Sequence, residues 1–597
     1  MAQKLKRAIL DPVDVVTGEC TLDRTDFSLP GPIPIEWRSS YSSRSKINGP
    51  LGWGWTHPYY QYIIFVNNKI TYINGEGGEI SFSSIPAIGE TIHSLDERYS
   101  LQRNGEHSFQ LIQQDGSVLS FRGAPAEGYV LLEKISNLNG QSIQFFYRQK
   151  HLIKIIDSAS RILDFEINHE GRILKIDCSR GNSGSLTLVS YQYDHSGNLI
   201  AVTDAENHTQ SYEYDQHHQL LKRTDRNGYS FHYQYSNHFC IKTWGDDGLY
   251  SGEFIYFPNE RRTIYIGFDG RRFEYRYNEK GQLTEEIDPY GRVTATQYDA
   301  FGNPAVIIDR CDRRRIYKYD ERGNLLEEVD PLSRKTSYRY NARNQLIEKV
   351  DFRGQKTTFE YDDRGNLIKE ILPDGRVNSY EYDGEGHRTF TRVSGSLPEK
   401  NEYDSYHQLT TIRDPFTRQE LYRYQYDLLG NVIAVWDKKG WIRYRYDKMS
   451  RIMEALYPDG TTEKNTYDPE GNITSYTDRL GRTWQYRYKA RKEMIEMMAP
   501  DGGVTQYDYT RADEMCLVID PNGNQTEFLY DQNDQIVGVK QNQSLLESYL
   551  RDGEGRLLEK RDSQGNLLVS YAYEMGEEPC TRIIQRVDKK IESHFTF

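Results

Sequence analysis

Aspartates recur along this 597-residue chain at a spacing that invites a metal-binding reading. Asp194, Asp299, Asp320, Asp362, Asp383, Asp427 and Asp468 each follow a tyrosine and precede a short polar stretch. Repeated turn carboxylates are the raw material of a calcium site, yet these stretches lack the dense D-x-D-x-[DN]-G ligand run. Capping of a turn backbone is the reading their residue types favour. Tandem His217-His218 offers two imidazoles, but adjacent residues rarely chelate one ion, so a surface pair is expected. Gly181-Asn182-Ser183-Gly184-Ser185 has the outline of a serine nucleophile loop without His and Asp partners in a recognisable context, and reads as a flexible turn. Asn207-His208-Thr209, Asn472-Ile473-Thr474 and Asn524-Gln525-Thr526 are sequon-like, which matters only in a eukaryotic secretory protein. Trp53, Trp55 and Tyr59 would serve either as an exposed aromatic binding surface or, the preferred reading, as an anchor for the first strands. The six cysteines (Cys20, Cys178, Cys240, Cys311, Cys516, Cys580) contain no C-x-x-C pair and read as isolated thiols. The expectation is therefore no catalytic residue, no metal and no cofactor.

The elements that carry these residues follow from composition. At 597 residues the chain exceeds the size at which a single core stops growing. Only 37% of residues are hydrophobic while 13% are aromatic, with 47 tyrosines, too polar for a large solid core and too aromatic for disorder. The net charge of −13, with Arg and Lys scattered through the chain, argues against nucleic acid as a main partner. The opening residues carry no apolar stretch of a Sec-type signal, and no 18-residue apolar run predicts a membrane span.

Tyrosine keeps time. From Tyr193, steps of 21 land on Tyr214, Tyr235, Tyr256, Tyr277, Tyr298, Tyr319, Tyr340, Tyr361, Tyr382 and Tyr403; after Tyr426 and Tyr446 the period resumes at Tyr467, Tyr488, Tyr509 and Tyr530. An aromatic stands two residues earlier in 14 of these 17 repeats, which places both rings on one face of a strand. Asp follows the tyrosine in 11 repeats, and Gly (Gly302, Gly323, Gly365 and Gly471 among them) comes three residues after that position in eight, a strand–turn–strand signature. A second turn signal, such as Asp288-Pro289-Tyr290-Gly291, falls about ten residues on, so each unit is two strands and two turns. A coiled coil fails because it would put residues i and i+2 on different sides and could not absorb the Gly and Pro. A propeller of 42-residue blades is harder to dismiss, but identity repeats at 21 and there are too many units for one ring, so a continuous spiralling sheet is the better reading. The fold expected is all-β, a spiralling antiparallel sheet. Its strands are polar on both faces once Tyr and Leu/Ile/Val are set aside (Thr336-Ser337-Tyr338-Arg339-Tyr340), which suits a wall around a wet cavity. Stacked tyrosine ladders are expected to hold the wall at about 0.2–1 kcal/mol per cross-strand pair, with hydroxyls left for water or a guest.

The repeat resembles the YD repeat of bacterial Rhs proteins, wall-associated polymorphic toxins and the shell subunits of insecticidal toxin complexes. Four N-terminal blocks, Asp11-Pro12-Val13-Asp14-Val15-Val16-Thr17-Gly18, Thr25-Asp26-Phe27-Ser28-Leu29-Pro30-Gly31-Pro32, Arg38-Ser39-Ser40-Tyr41-Ser42-Ser43-Arg44 and Gly49-Pro50-Leu51-Gly52-Trp53-Gly54-Trp55, are similar to the domain preceding the repeats in Rhs proteins. The resemblance implies a hollow cocoon holding a C-terminal toxin, or a C-terminal partner polypeptide, typically for type VI secretion, with secretion spike proteins as further partners. It also implies a bacterial cytoplasmic protein exported without Sec. It divides the chain into a tail (1–10), an Rhs-associated N-terminal domain (11–85), degenerate strand repeats (86–190), YD repeats (191–575) and a C-terminal end (576–597). The D-P-x-G-L-type self-cleavage motif of complete effectors has no counterpart in context, and Ser593-His594-Phe595-Thr596-Phe597 still reads as repeat. A shell without cargo, protease or spike is expected: a truncated gene, a split system or an orphan. The alternative is a surface repeat protein whose tyrosines stack on carbohydrate.

Overall fold

A computed structural model describes residues 12–66, 69–94, 99–123, 128–181, 183–489, 492–573, 581–586 and 589–594. The expected tail 1–10, Asn182, Cys580 and residues 576–580, 587–588 and 595–597 of the expected C-terminal end lie outside the described residues.

The chain opens with a small sheet. Thr21–Leu29 pairs antiparallel with Ile35–Ser42, which also pairs with Trp55–Thr56. Burial alternates along the first two strands with period two, as it must when one face of a sheet is packed. Leu29, Ile35, Trp37, Tyr41 and Trp55 fill that face.

From Tyr62–Val66 to Lys589–His594 the rest is one antiparallel ribbon in which strands pair with their sequence neighbours. Near its start the ribbon curls, because Tyr129–Ser136 returns to pair with Tyr62–Val66 (Val130 opposite Ile63). The ribbon as a whole does not close as a barrel. Among the described residues there is no α-helix, only short 3₁₀ turns such as Asp246–Gly248 and Pro258–Glu260.

One repeat shows how the unit works. Lys335–Tyr340 pairs with Leu346–Val350: Arg339 faces Glu348, but Tyr340 faces Leu346, so Ile347 is a bulged extra residue. Tyr193, Tyr214, Tyr277, Tyr298, Tyr319, Tyr361, Tyr382, Tyr403, Tyr426, Tyr446 and Tyr467 sit at the same bulge in their own repeats. Tyr256 is the exception: beside the 3₁₀ turn Pro258–Glu260 it pairs with Thr263 without a bulge. A bulge increases local twist and bends its strand. Recurring once per unit, it curves the ribbon steadily.

The core is confined to the first half. Buried apolar side chains run densely from Val13 to Tyr275, whereas beyond that the described ones are Val306, Leu429, Ala434 and Ala455. The later ribbon is a single sheet with partly exposed residues on both faces.

Successive laps of the ribbon meet edge to edge. The Gln141 side chain donates to the Glu385 carbonyl at 2.6 Å, the Arg226 amide to Glu470 at 2.8 Å and the Arg310 amide to Glu554 at 2.8 Å, each across 244 residues. Turns that follow the second strand of a unit in one lap abut turns that follow the landmark tyrosine in the next. At 21 residues per two-stranded unit, a lap of 244 residues is about 23 strands, and at about 4.8 Å per strand its circumference is about 110 Å, a diameter of about 35 Å. Side chains fill the interior of a barrel of about eight strands, while 16–18 strands already leave an aqueous channel. After about 5 Å is subtracted for the side chains on each wall, a lap of this size leaves a lumen of about 25 Å.

Candidate functional site

The face that carries the tyrosines is also where the chain's recurring chemistry lies. The ladder from Leu346–Val350 to the following strand spans only Glu348–Val350, so the Leu346 carbonyl lies beyond its end. The Tyr361 hydroxyl donates to it at 2.9 Å. Tyr298 does the same to Leu283, Tyr382 to Leu367, Tyr426 to Leu409, Tyr446 to Val432 and Tyr467 to Ile452. Arg551, which takes the tyrosine's place one period after Tyr530, donates Nε to the Ile536 carbonyl at 2.8 Å. The expected stacked ladders are thus corrected: these landmark phenols tie their strands to the preceding hairpin through their hydroxyls, which are spent on the wall. The opposite face carries cross-strand charges, as in Lys318–Glu327–Lys335 and Arg339–Glu348–Lys356.

The turn aspartates cap backbone. Asp320 Oδ1 accepts the amides of Arg322 and Asn324 at 2.9 and 2.8 Å, and Oδ2 accepts the Asn324 side chain at 2.8 Å. Asp194, Asp299, Asp362, Asp427 and Asp468 repeat the arrangement with Asn198, Asn303, Asn366, Asn431 and Asn472. Partial burial would raise the Asp194 carboxyl, but the hydrogen bonds from Asn198 outweigh it and hold the group below the usual range; Asp362 behaves alike with Asn366. With both oxygens engaged, these carboxylates are turn hardware. Gly302, Gly323, Gly365 and Gly471 hold the position of positive φ (76 to 91°) that each turn requires.

In the first repeats the N-terminal sheet covers the tyrosine face. Arg24 and Asp26 form a buried ion pair. Asp26 accepts hydrogen bonds from Ser39 at 2.9 Å and Tyr191 at 2.7 Å, while Trp37 Nε1 donates to the Tyr191 hydroxyl at 2.8 Å. Burial alone would lower the Arg24 guanidinium, yet the Asp26 carboxylate and the Tyr212 hydroxyl more than reverse it and the group is held charged. Trp55 Nε1 donates to the Tyr214 hydroxyl at 2.9 Å, and the buried Tyr59 accepts the Glu36 amide. Trp53 donates to the Ser196 carbonyl at 3.1 Å and stacks on His218 at 4.4 Å. The three aromatics are anchors. His218 is part of that anchor, contrary to the expected surface pair, because its ring lies against Trp53 and bonds Asn198 at 2.7 Å; His217 turns away toward His238. Gly181 and Ser183 stand at a hairpin tip between Ile173–Arg180 and Ser183–Tyr193. Asn207, Asn472 and Asn524 lie in turns. Cys20, Cys178 and Cys240 are buried and Cys311 and Cys516 half-buried, and none of these five is in a disulfide among the described residues.

Sequence reading missed a third cluster. Glu385, His387 and His407 bring their ligating atoms within 4.8 Å of one another. The signal was present: two histidines 20 residues apart in a 21-residue repeat occupy neighbouring turns.

Comparison with known proteins agrees with this architecture. Residues 10–82 match the model of a domain of unknown function (DUF6531), residues 193–230 the RHS Repeat, and residues 262–457 and 402–529 the Teneurin YD-shell. A probable deoxyribonuclease RhsB of Dickeya dadantii (strain 3937) is 25% identical over 531 residues, 82% of this chain and 36% of that protein. A double-stranded DNA deaminase toxin A of Burkholderia cenocepacia (strain H111) is 27% identical over 203 residues, 33% of this chain and 14% of that protein. The chain thus spans about a third or less of the length of these relatives. A crystal structure of TcdB2-TccC3-TEV aligns with 95% of this chain and 40% of its own at a TM-score of 0.49 and 12% identity. Period, turn chemistry, N-terminal blocks and family models converge on an Rhs/YD-repeat protein.

Proposed function

We propose that this chain is the wall of an encapsulating shell that holds a toxic polypeptide, and that its own role is structural. The observation that carries this is the lap of 244 residues, which encloses more width than one sheet's side chains can fill. The YD-shell match over residues 262–529 supports the reading, as do relatives whose names are those of toxins and nucleases. The N-terminal sheet sits on the tyrosine face of the first repeats, as a stopper would, so that face is assigned to the lumen. The guest is a toxin segment or a separate C-terminal partner chain. Export by a Sec-independent route such as type VI secretion, with spike proteins as carriers, completes the proposal. Carbohydrate binding by the tyrosine face is disfavoured because landmark hydroxyls such as those of Tyr361 and Tyr382 are engaged by the wall's carbonyls.

The test is co-expression with the reading frame adjacent to the gene, followed by pull-down and limited proteolysis. Co-purification of a polypeptide that resists protease until the shell is denatured is expected. Failure of any polypeptide to co-purify, or its immediate digestion while the shell is intact, would overturn the proposal.

A further inference from the structure

Neighbouring turns along one edge of the ribbon are linked by a side-chain ladder. Asn324 donates Nδ2 to Asn344 Oδ1 at 2.9 Å, and Gln345 donates Nε2 to the Gly365 carbonyl at 2.8 Å. The same two places, two repeats further on, are His387 and His407. Their rings meet at 2.7 Å, Nε2 to Nδ1. His387 takes the position filled by Asn324 and Asn366 in other repeats, and His407 the position filled by Gly323 and Gly365, which it occupies at φ 64°.

The surroundings of His387 are those of a metal ligand. Its Nδ1 lies 2.8 Å from Asp383 Oδ2, its ring stacks on Tyr403 at 4.5 Å, and its side chain is 9% exposed. A carboxylate on Nδ1 fixes the tautomer and leaves the Nε2 lone pair free, as the carboxylate partner of a zinc-bound histidine does. That lone pair points to His407 Nδ1, and Glu385 Oε2 stands 3.5 Å from the same nitrogen. We infer that Glu385, His387 and His407 bind a divalent transition-metal ion of the zinc class. Two imidazoles and one carboxylate are a borderline donor set that leaves a fourth position for water. Tetrahedral bonds of about 2.0–2.1 Å require the two nitrogens to move apart by about 0.6 Å, which rotation of His407 supplies. The Gln141 side chain from the preceding lap holds the Glu385 carbonyl at 2.6 Å, so the ion would clip two consecutive turns at the seam between laps.

The full-length chain, stripped with a chelator, is titrated with zinc alone and then loaded with cobalt(II). One equivalent of zinc, a raised melting temperature and the absorption of tetrahedral cobalt are expected. His387→Asn with His407→Gly restores the residues other repeats use at these places, so the variant should fold, and it should lose that equivalent. Asp383→Asn keeps an acceptor for the turn amides and should weaken zinc binding about 10–100-fold. Absence of zinc binding by the wild-type chain would overturn the inference, because the histidines would then be joined by an ordinary hydrogen bond. Equal zinc uptake by the wild type and the double variant would overturn it as well.

Discussion

A landmark tyrosine such as Tyr361 closes a gap that the preceding repeat creates. The bulge leaves the first carbonyl of the second strand outside the next ladder, and the following phenol fills it. Removing one partner of such a bond costs about 1 kcal/mol, more where the remaining group is dry. Tyr361→Phe should therefore destabilise the ribbon by about 1 kcal/mol, read by hydrogen exchange of the flanking strands, whereas Tyr338→Phe, which leaves the bulge untouched, should lie within about 0.5 kcal/mol of the wild type. Equal effects would mean that ring packing, not the hydroxyl, holds the unit. The period and the turn aspartates were readable from Tyr319-Asp320-Glu321-Arg322-Gly323 because both depend on local chemistry. The bond from Tyr361 to Leu346 was not, because it depends on a register shift that no residue type announces.

The strands of the N-terminal sheet were legible as a block but not as a lid on the ribbon. Contacts such as Trp37 with Tyr191 join residues 154 apart and follow no period. Within this element His57 is buried against Trp37, with ring centroids 4.4 Å apart, and neither ring nitrogen has a hydrogen-bond partner among the described residues. Burial alone lowers its pKa to about 3. A base depressed in the folded state stays neutral there while the unfolded chain binds a proton, so its contribution to stability is present above pH 6.5 and is lost as pH falls toward 3. By pH 5 the loss should be about 2 kcal/mol. His57→Phe should remove that acid sensitivity, measured as the denaturant midpoint of the N-terminal sheet from pH 7 to pH 5; an unchanged pH dependence in the variant would contradict the assignment.

At the scale of the whole molecule the seam decides whether the spiral stays wound. Its length per lap was invisible in the sequence, since it results from curvature summed over many bulges. At the seam Tyr250 donates its amide to the Arg511 carbonyl and its hydroxyl to Glu493. Burial, together with a hydrogen bond to Asp513, pushes Glu493 up to about 7. An acid raised in the folded state contributes stability below its ordinary pKa that is lost as pH rises through about 7, the reverse of His57. Glu493→Gln should hold the seam more tightly at pH 8 by about 1 kcal/mol, seen as slower hydrogen exchange at the Tyr250 amide; no change between pH 5 and pH 8 in the wild type would refute this coupling.

Hollowness is the claim on which the shell rests. Electron cryomicroscopy of the purified chain, without any partner, measures it directly. A two-lap spiral one sheet thick around a cavity about 25 Å wide is predicted. A density packed solid across that width, or an uncoiled ribbon whose turns at 226 and 470 do not meet, would contradict it.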